Sequence, residues 1–271
     1  MSVRSLVSPA WLGSRLDSVV VLDVRYRMDK PQGYDDFLAG HVPGAAYVDL
    51  EIALADPPGD RGRHPLPEEA RFEGEMRRAG VRMDRPVVVY DDWGGRAAAR
   101  AWWLLRHHGH PEVYVLDGGW PAWAESGEDV ESGTVTPEPG HFTISPEKGL
   151  LVVEADDVLG VDVLVDARAA ERHRGEVEPI DPVAGHIPGA VNVPTEMNLD
   201  DQGRFHTPDR LRTLYADVGA TDGADVAAYC GSGVTAAHDV LAMEVAGIRA
   251  ALYPGSWSEW ITDPERPVET G

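Results

Sequence analysis

Cys230 is the sole cysteine among 271 residues, and its neighbours give it a chemical setting. A short apolar run, Val226-Ala-Ala-Tyr229, leads into it. Gly231-Ser-Gly-Val-Thr235 follows, and then an Ala-rich stretch that closes at Gly247. A glycine-rich turn between a strand and a helix aims its backbone N–H groups, with those of the helix start, at the loop's centre. Gly231 and Gly233 allow the tight curl. A sulfur anion at that centre is stabilised, so the motif reads as a seat for a nucleophilic thiolate. Gly231, Gly233, Val234 and Thr235 are then candidate substrate contacts. Ser232 adds a hydroxyl able to bond a donor oxygen or a departing sulfur. The plain alternative is a small buried hydrophobe, the usual fate of a cysteine. One cysteine allows no intramolecular disulfide and no Cys-x-x-Cys redox or zinc site; no metal site is expected.

Holding a thiol in this way needs a strand that ends at it, and an internal repeat indicates which sheet that is. Val20-Val-Leu-Asp-Val-Arg25 matches Val163-Leu-Val-Asp-Ala-Arg168, and Ala39-Gly-His-Val-Pro-Gly-Ala45 matches Ala184-Gly-His-Ile-Pro-Gly-Ala190. Gly62-Arg-His-Pro-Leu-Pro67 corresponds to Gly203-Arg-Phe-His-Thr-Pro208. Val87-Val-Val-Tyr90 corresponds to Val226–Tyr229, and Asp117-Gly-Gly-Trp120 to Pro254-Gly-Ser-Trp257. The order is the same in both halves. Short Val-rich runs at 19–24, 87–90, 113–116, 161–165, 226–229 and 250–253 alternate with helical stretches. That pattern predicts an α/β chain of two similar units, each a parallel sheet flanked by helices. The expected division is 1–128, a polar Gly- and Pro-rich linker at 129–148, and 149–271. Ligands of such sheets bind beyond the carboxyl ends of the strands, where Cys230 falls. In the first half Asp91 stands at the matching place, so that half reads as a copy without a nucleophile.

Composition narrows the partners. The formal charge is −22, with 43% hydrophobic and 26% charged residues. Such an acidic surface repels nucleic acid and anionic membranes. No run is long and apolar enough to span a bilayer, and the Met1–Trp11 stretch lacks the apolar core of a signal peptide. With a single cysteine, this favours the cytoplasm.

The paired Gly-His-[Val/Ile]-Pro-Gly-Ala blocks, the Cys230 loop and the Trp-x-x-Trp endings (Trp120 and Trp123, Trp257 and Trp260) together resemble the tandem-domain rhodanese sulfurtransferases, over essentially the whole chain. The resemblance implies two rhodanese-like domains, the first inactive and the second catalytic, with no cofactor. It implies that Cys230 takes sulfane sulfur from a small anionic donor, becomes a persulfide, and passes the sulfur to a thiol or cyanide; thioredoxin is among the candidate acceptors. The loop Cys230-Gly-Ser-Gly-Val-Thr235 is similar to that of 3-mercaptopyruvate sulfurtransferases and lacks the cationic side chain usual in thiosulfate-preferring relatives. Those mercaptopyruvate enzymes hold the donor carboxylate with two arginines. Arg172 matches the first; Ile180 occupies the second place, with Arg174 as a substitute. The resemblance further implies a relay of Ser232, His64 and an acid, Asp49 or Glu51.

Other residues read as structural. Arg168 has Arg25 as its counterpart, which suggests an architectural ion pair; the place matching Arg172 is Asp29. His41 and His186 recur in both halves. His107, His108 and His110 read as solvated helix-end residues, and His238 as a helix residue near the loop. Thiosulfate:cyanide transfer is the alternative activity, and a non-catalytic interaction module is the alternative of another class. A Cys-x5-Arg phosphatase is disfavoured, because Ala236 stands where the arginine should be.

Overall fold

The computed structural model describes residues 5–27 and 33–271; Asp29 lies outside them. One sheet joins β1 (Leu6–Val7), β2 (Val20–Asp23), β3 (Ala46–Tyr47), β4 (Val87–Tyr90) and β5 (Val113–Leu116) in the order β1-β5-β4-β2-β3. A second joins β6 (Val163–Asp166), β7 (Val191–Asn192), β8 (Val226–Tyr229) and β9 (Ala251–Leu252) in the order β7-β6-β8-β9. All pairings are parallel. Every residue of β4 and β8 is buried, as a sheet covered on both faces requires. The register repeats too: Asp23 lies opposite Tyr90, and Asp166 opposite Tyr229. The edge strands β3 and β7 carry no alternation that a sequence could reveal, being two residues long. β1 has only a trace in the second half, a single parallel bridge between Val152 and Leu252.

The repeated Asp-x-Arg and Gly-His-x-Pro-Gly blocks form the same lock twice. Arg25 and Arg168 each meet their aspartate, Asp23 and Asp166, at 2.7 Å. The same Nη2 atoms donate to the carbonyls of Gly40 at 2.6 Å and Gly185 at 2.7 Å. Tyr90 and Tyr229 donate to the same carboxylates and accept the amides of Val42 and Ile187. Each guanidinium also lies over a tryptophan, 4.7 Å from Trp120 and 4.8 Å from Trp257. Burial would raise the Asp166 carboxyl, but the His173 hydrogen bond and the Arg168 charge outweigh it and hold it well below the usual range. Arg168 is therefore architectural, as its repetition suggests. His41 and His186 pin their turns through Nδ1, to the carbonyls of Phe37 at 2.8 Å and His173 at 2.7 Å.

Two helices pack against each other between the sheets, Arg96–His107 and Ala236–Ala246. The second is apolar almost all round and is buried accordingly; Gly247, at φ 80°, ends it. Segment 129–148 is no free tether. Glu131 exchanges two backbone hydrogen bonds with His41, and Phe142 is fully buried with its amide on Val81. This strap then crosses the end of the Arg96–His107 helix. His107, His108 and His110 are therefore buried, contrary to the solvated placement expected of them. His107 Nδ1 donates to Leu150 at 2.7 Å, and burial pushes His108 down to about 4.

The β4 loop shows how the nucleophile-free half is filled. Asp91 is completely buried and accepts three backbone amides, from Trp93, Gly95 and Ala98, each at 2.8 Å. Its carboxylate occupies the loop centre and satisfies donors that otherwise have no partner. Asp91→Ala should leave all three unpaired in the core and cost about 2–4 kcal/mol of stability. Urea unfolding checks this, and a variant as stable as the parent would show that the amides find other acceptors.

Candidate active site

Cys230 ends β8 and is 2% exposed. Its amide donates to Ser256 Oγ at 3.1 Å, and its Sγ receives the Gly233 amide at 3.1 Å. The carbonyls of Cys230 and Gly231 accept the amides of Trp257 and Ser258, which tie the loop to the turn after β9. Gly233 has φ +76°, and a Cβ there would lie 2.2 Å from the carbonyl oxygen of Pro254, so only glycine fits. The amides of Gly231, Ser232, Val234 and Thr235 donate to no acceptor among the described residues. Open amides at such a turn are free to meet an anion. Ser256 was not anticipated. It takes φ 54° where the first half has Gly119 at φ 56°, and its hydroxyl also donates to the Tyr253 carbonyl.

The thiol opens into a cleft of about 150 Å³ between the two halves. Tyr26, Arg63, His64 and Trp93 come from the first; Arg172, Ile180 and the Cys230–Thr235 loop come from the second. A larger depression, about 890 Å³ around Asp200, Asp209 and Arg210, holds no comparable nucleophile. His64 Nδ1 lies 2.7 Å from Ser232 Oγ, so two of the three relay residues meet across the halves. The acid does not join them. Asp49 caps its own helix by accepting the amides of Glu51 and Ile52, and Glu51 accepts the Tyr26 hydroxyl at 3.1 Å. Tyr26 in turn packs edge-on against His64. Burial, then the charges of Arg100 and Arg63, push His64 down to about 4. It is neutral at physiological pH and, with its proton on Nδ1, can donate to Ser232 Oγ and leave the hydroxyl hydrogen free for a ligand.

Arg172 reaches the cleft but is not a loose cation. Its Nη2 meets Glu178 at 2.7 Å and Asp181 at 3.2 Å. Asp181 also takes Nη1 of Arg63 at 2.6 Å, bridging the halves. A Cβ on Gly231 would lie 3.0 Å from Arg63 Nη2 and 3.7 Å from both Nη atoms of Arg172, so two guanidinium groups converge beside the cysteine. Arg63 was missed because it approaches from the other half, although Gly62-Arg-His is one of the repeated blocks. Arg174 does not substitute for a second arginine. It is half-exposed and paired with Glu176. Ile180 lines the cleft without a charge. His238 stays out of the cleft: its Nε2 bonds the Gly94 carbonyl at 3.0 Å, its ring stacks on Phe205, and burial pushes it down to about 3. Among the described residues no group of histidine, cysteine and carboxylate side chains is arranged to hold a metal ion.

A family model, the rhodanese-like domain, matches residues 8–126 and again 152–263. A Mycobacterium tuberculosis protein named "Putative thiosulfate sulfurtransferase SseB" is 48% identical over 94% of this chain and 92% of its own length. A Pseudomonas aeruginosa protein named "Probable 3-mercaptopyruvate sulfurtransferase" is 45% identical over the full length of both. Among solved structures, the 3-mercaptopyruvate sulfurtransferase from Leishmania major superposes with a TM-score of 0.87 at 29% identity, covering 98% of this chain and 76% of that one. The chain belongs to the rhodanese family of sulfurtransferases.

The depressed His64 has a thermodynamic consequence. Its folded value, about 4, lies below the ordinary value of 6.5, so between these pH values the unfolded chain binds the extra proton. The contribution of His64 to stability is complete above about pH 6.5 and lost as pH falls toward 4. His64→Gln should remove about 3 kcal/mol of the pH dependence across that window. Unfolding midpoints between pH 4 and 7 measure it; parallel curves for parent and variant would show that His64 titrates normally.

Proposed function

We propose that Cys230 carries sulfane sulfur as a persulfide from 3-mercaptopyruvate to a thiol acceptor. The observation that carries this reading is the meeting, in one small cleft, of a strand-end thiol, a neutral Ser–His pair and two guanidinium groups. The Cys230 thiolate attacks the donor sulfur. An S–S bond forms while the donor's C–S bond breaks, and the electron pair leaves as the enolate of pyruvate, which a proton completes. Ser232, backed by His64, hydrogen-bonds the oxygen on which that negative charge gathers. An acceptor thiolate then attacks the outer sulfur, and Cys230 returns as thiolate. Arg172 Nη1 and Arg63 Nη2 make no hydrogen bond among the described residues, and they take the donor carboxylate. Gly231, Gly233, Val234 and Thr235 form the floor, and their amides favour the anion.

On this reading 149–271 carries the reacting sulfur. The first unit, 1–128, is more than an inactive copy, since it supplies His64 and Arg63, and 129–148 straps it. Thiosulfate is the second reading, favoured by the name of the 48% identical relative and by Ile180 at the place where the resemblance expects the second arginine. Cyanide and thioredoxin are candidate acceptors. The cytoplasm is the proposed compartment, on the single cysteine. No helix among the described residues is long and apolar enough to cross a membrane.

Donor alone should add about 32 Da to the protein, one sulfur on Cys230. Cys230→Ser should abolish both the adduct and turnover, and sulfur transfer surviving in that variant would refute the mechanism. Arg172→Ala should lower kcat/KM for mercaptopyruvate about ten- to a hundred-fold, and Arg172→Lys should recover part of it, because an ammonium cannot form the planar fork. Steady-state assays of both donors with one acceptor decide this. Unchanged values for both variants would move anion binding to Arg63 and the loop amides.

A further inference from the structure

Arg100 sits midway along the Arg96–His107 helix of the first half and is completely buried. Its donors all go to carbonyls. Nε serves Leu54 at 3.2 Å, Nη2 serves His64 at 3.0 Å and Pro65 at 3.3 Å, and Nη1 crosses to Gly233 at 3.2 Å. No carboxylate among the described residues lies within ion-pair distance of it. A buried guanidinium without a counter-charge is costly, so its persistence calls for a compensating anion.

The groups around the cleft narrow where that anion can sit. Arg63, Arg172 and Arg168 are matched by Asp181, Glu178 and Asp166. His64 is neutral, as is His238 on the helix behind the loop. Burial raises Tyr26 to about 12, so its hydroxyl keeps its proton; burial also raises Asp239, on that same helix, which is engaged by Asn198 and not by Arg100. Arg96, one turn before Arg100 on its helix, bonds Thr195 and the Trp93 carbonyl, whereas Arg100 is linked through Gly233 to the thiol of Cys230. Burial lowers Arg100 to about 10, and a negative sulfur at Cys230 opposes that shift. Two groups on either side of Gly233 therefore complete each other: Arg100 bonds its carbonyl, while its amide bonds Sγ.

We propose that Arg100 is the permanent counter-charge of the Cys230 sulfur anion, a positioning residue reached from the opposite half of the molecule. It stabilises thiolate and persulfide without touching the donor. Its charge also adds to the burial that keeps His64 neutral, so the sulfur gains a cation and Ser232 keeps an uncharged hydrogen-bond partner. The two arginines beside Gly231 are instead shared between Asp181 and Glu178 on one side and the proposed donor carboxylate on the other.

The proposal rests on Cys230 being the reacting sulfur, and iodoacetamide alkylation separates the two ideas because it needs no sulfur donor. The parent should be modified rapidly at pH 7; slow modification of the parent would refute the reacting-sulfur reading itself. Arg100→Gln keeps hydrogen-bond donors but no charge, whereas Arg100→Lys keeps the charge. Arg100→Gln should alkylate about ten-fold more slowly at pH 7, with its rate profile displaced upward by about one pH unit, and Arg100→Lys should stay close to the parent. Thermal unfolding confirms that each variant is folded. If Arg100→Gln does not fold, Arg100→Lys decides against the parent: a retained profile supports the counter-charge, and one displaced by a pH unit overturns it. A folded Arg100→Gln with the parent's profile would reduce Arg100 to a hydrogen-bonding strut.

Discussion

The whole arrangement depends on the pressing together of two helices, Arg96–His107 and Ala236–Ala246, across the internal repeat. Their alanines allow the close approach, and polar ties cross the seam beside them. Arg96 reaches Thr195 at 3.1 Å, His238 reaches Gly94, Phe205 donates its amide to Asp117 at 2.9 Å, and Arg63 meets Asp181. Neither half holds a complete cleft. The second has the sulfur, the loop amides and Arg172; the first has His64, Arg63 and Arg100. Buried polar groups that find partners only in the docked pair make the docking specific as well as stable.

The repeat also shows how one loop geometry serves two purposes. A tight turn after a central strand collects inward amides, and such a turn needs a negative centre or an acceptor. Asp91 supplies one permanently and closes its loop with three hydrogen bonds. Cys230 receives one amide and leaves others open. The residue that ends the strand thus decides whether the turn is sealed or left with open amides. Ser256 makes a matching exchange: where Gly119 needs its missing Cβ to clear the Asp91 carbonyl, Ser256 uses a hydroxyl to hold the Cys230 amide.

Much of this was legible in the chain. Repeated blocks gave two parallel α/β units, because each block is a buried lock whose members must all be present. The Cys230 loop was legible since its glycines, sulfur and helix are contiguous. His64 and Arg172 came from family resemblance, and the structure brings both to the cleft. Arg63 and Arg100 were not legible. Each lies more than a hundred residues from Cys230, on an element whose local pattern only says helix or turn. The acid of the relay failed for a local reason: Asp49 caps a helix, and Glu51 is engaged by Tyr26. The buried histidines near residue 108 were misread because the strap that covers them looks, by composition, like a free linker.

The small size of the cleft sets an order of events. About 150 Å³ between Tyr26, Trp93 and Ile180 admits one small molecule at a time. Under the proposed transfer the spent donor would have to depart before an acceptor approached the sulfur, leaving the enzyme loaded between two visitors that never meet. A macromolecular acceptor would then have to reach that sulfur with a slender thiol-bearing tip. On that reading, selection among acceptors is a matter of girth and reach at the rim, separate from the charge recognition proposed for the donor inside.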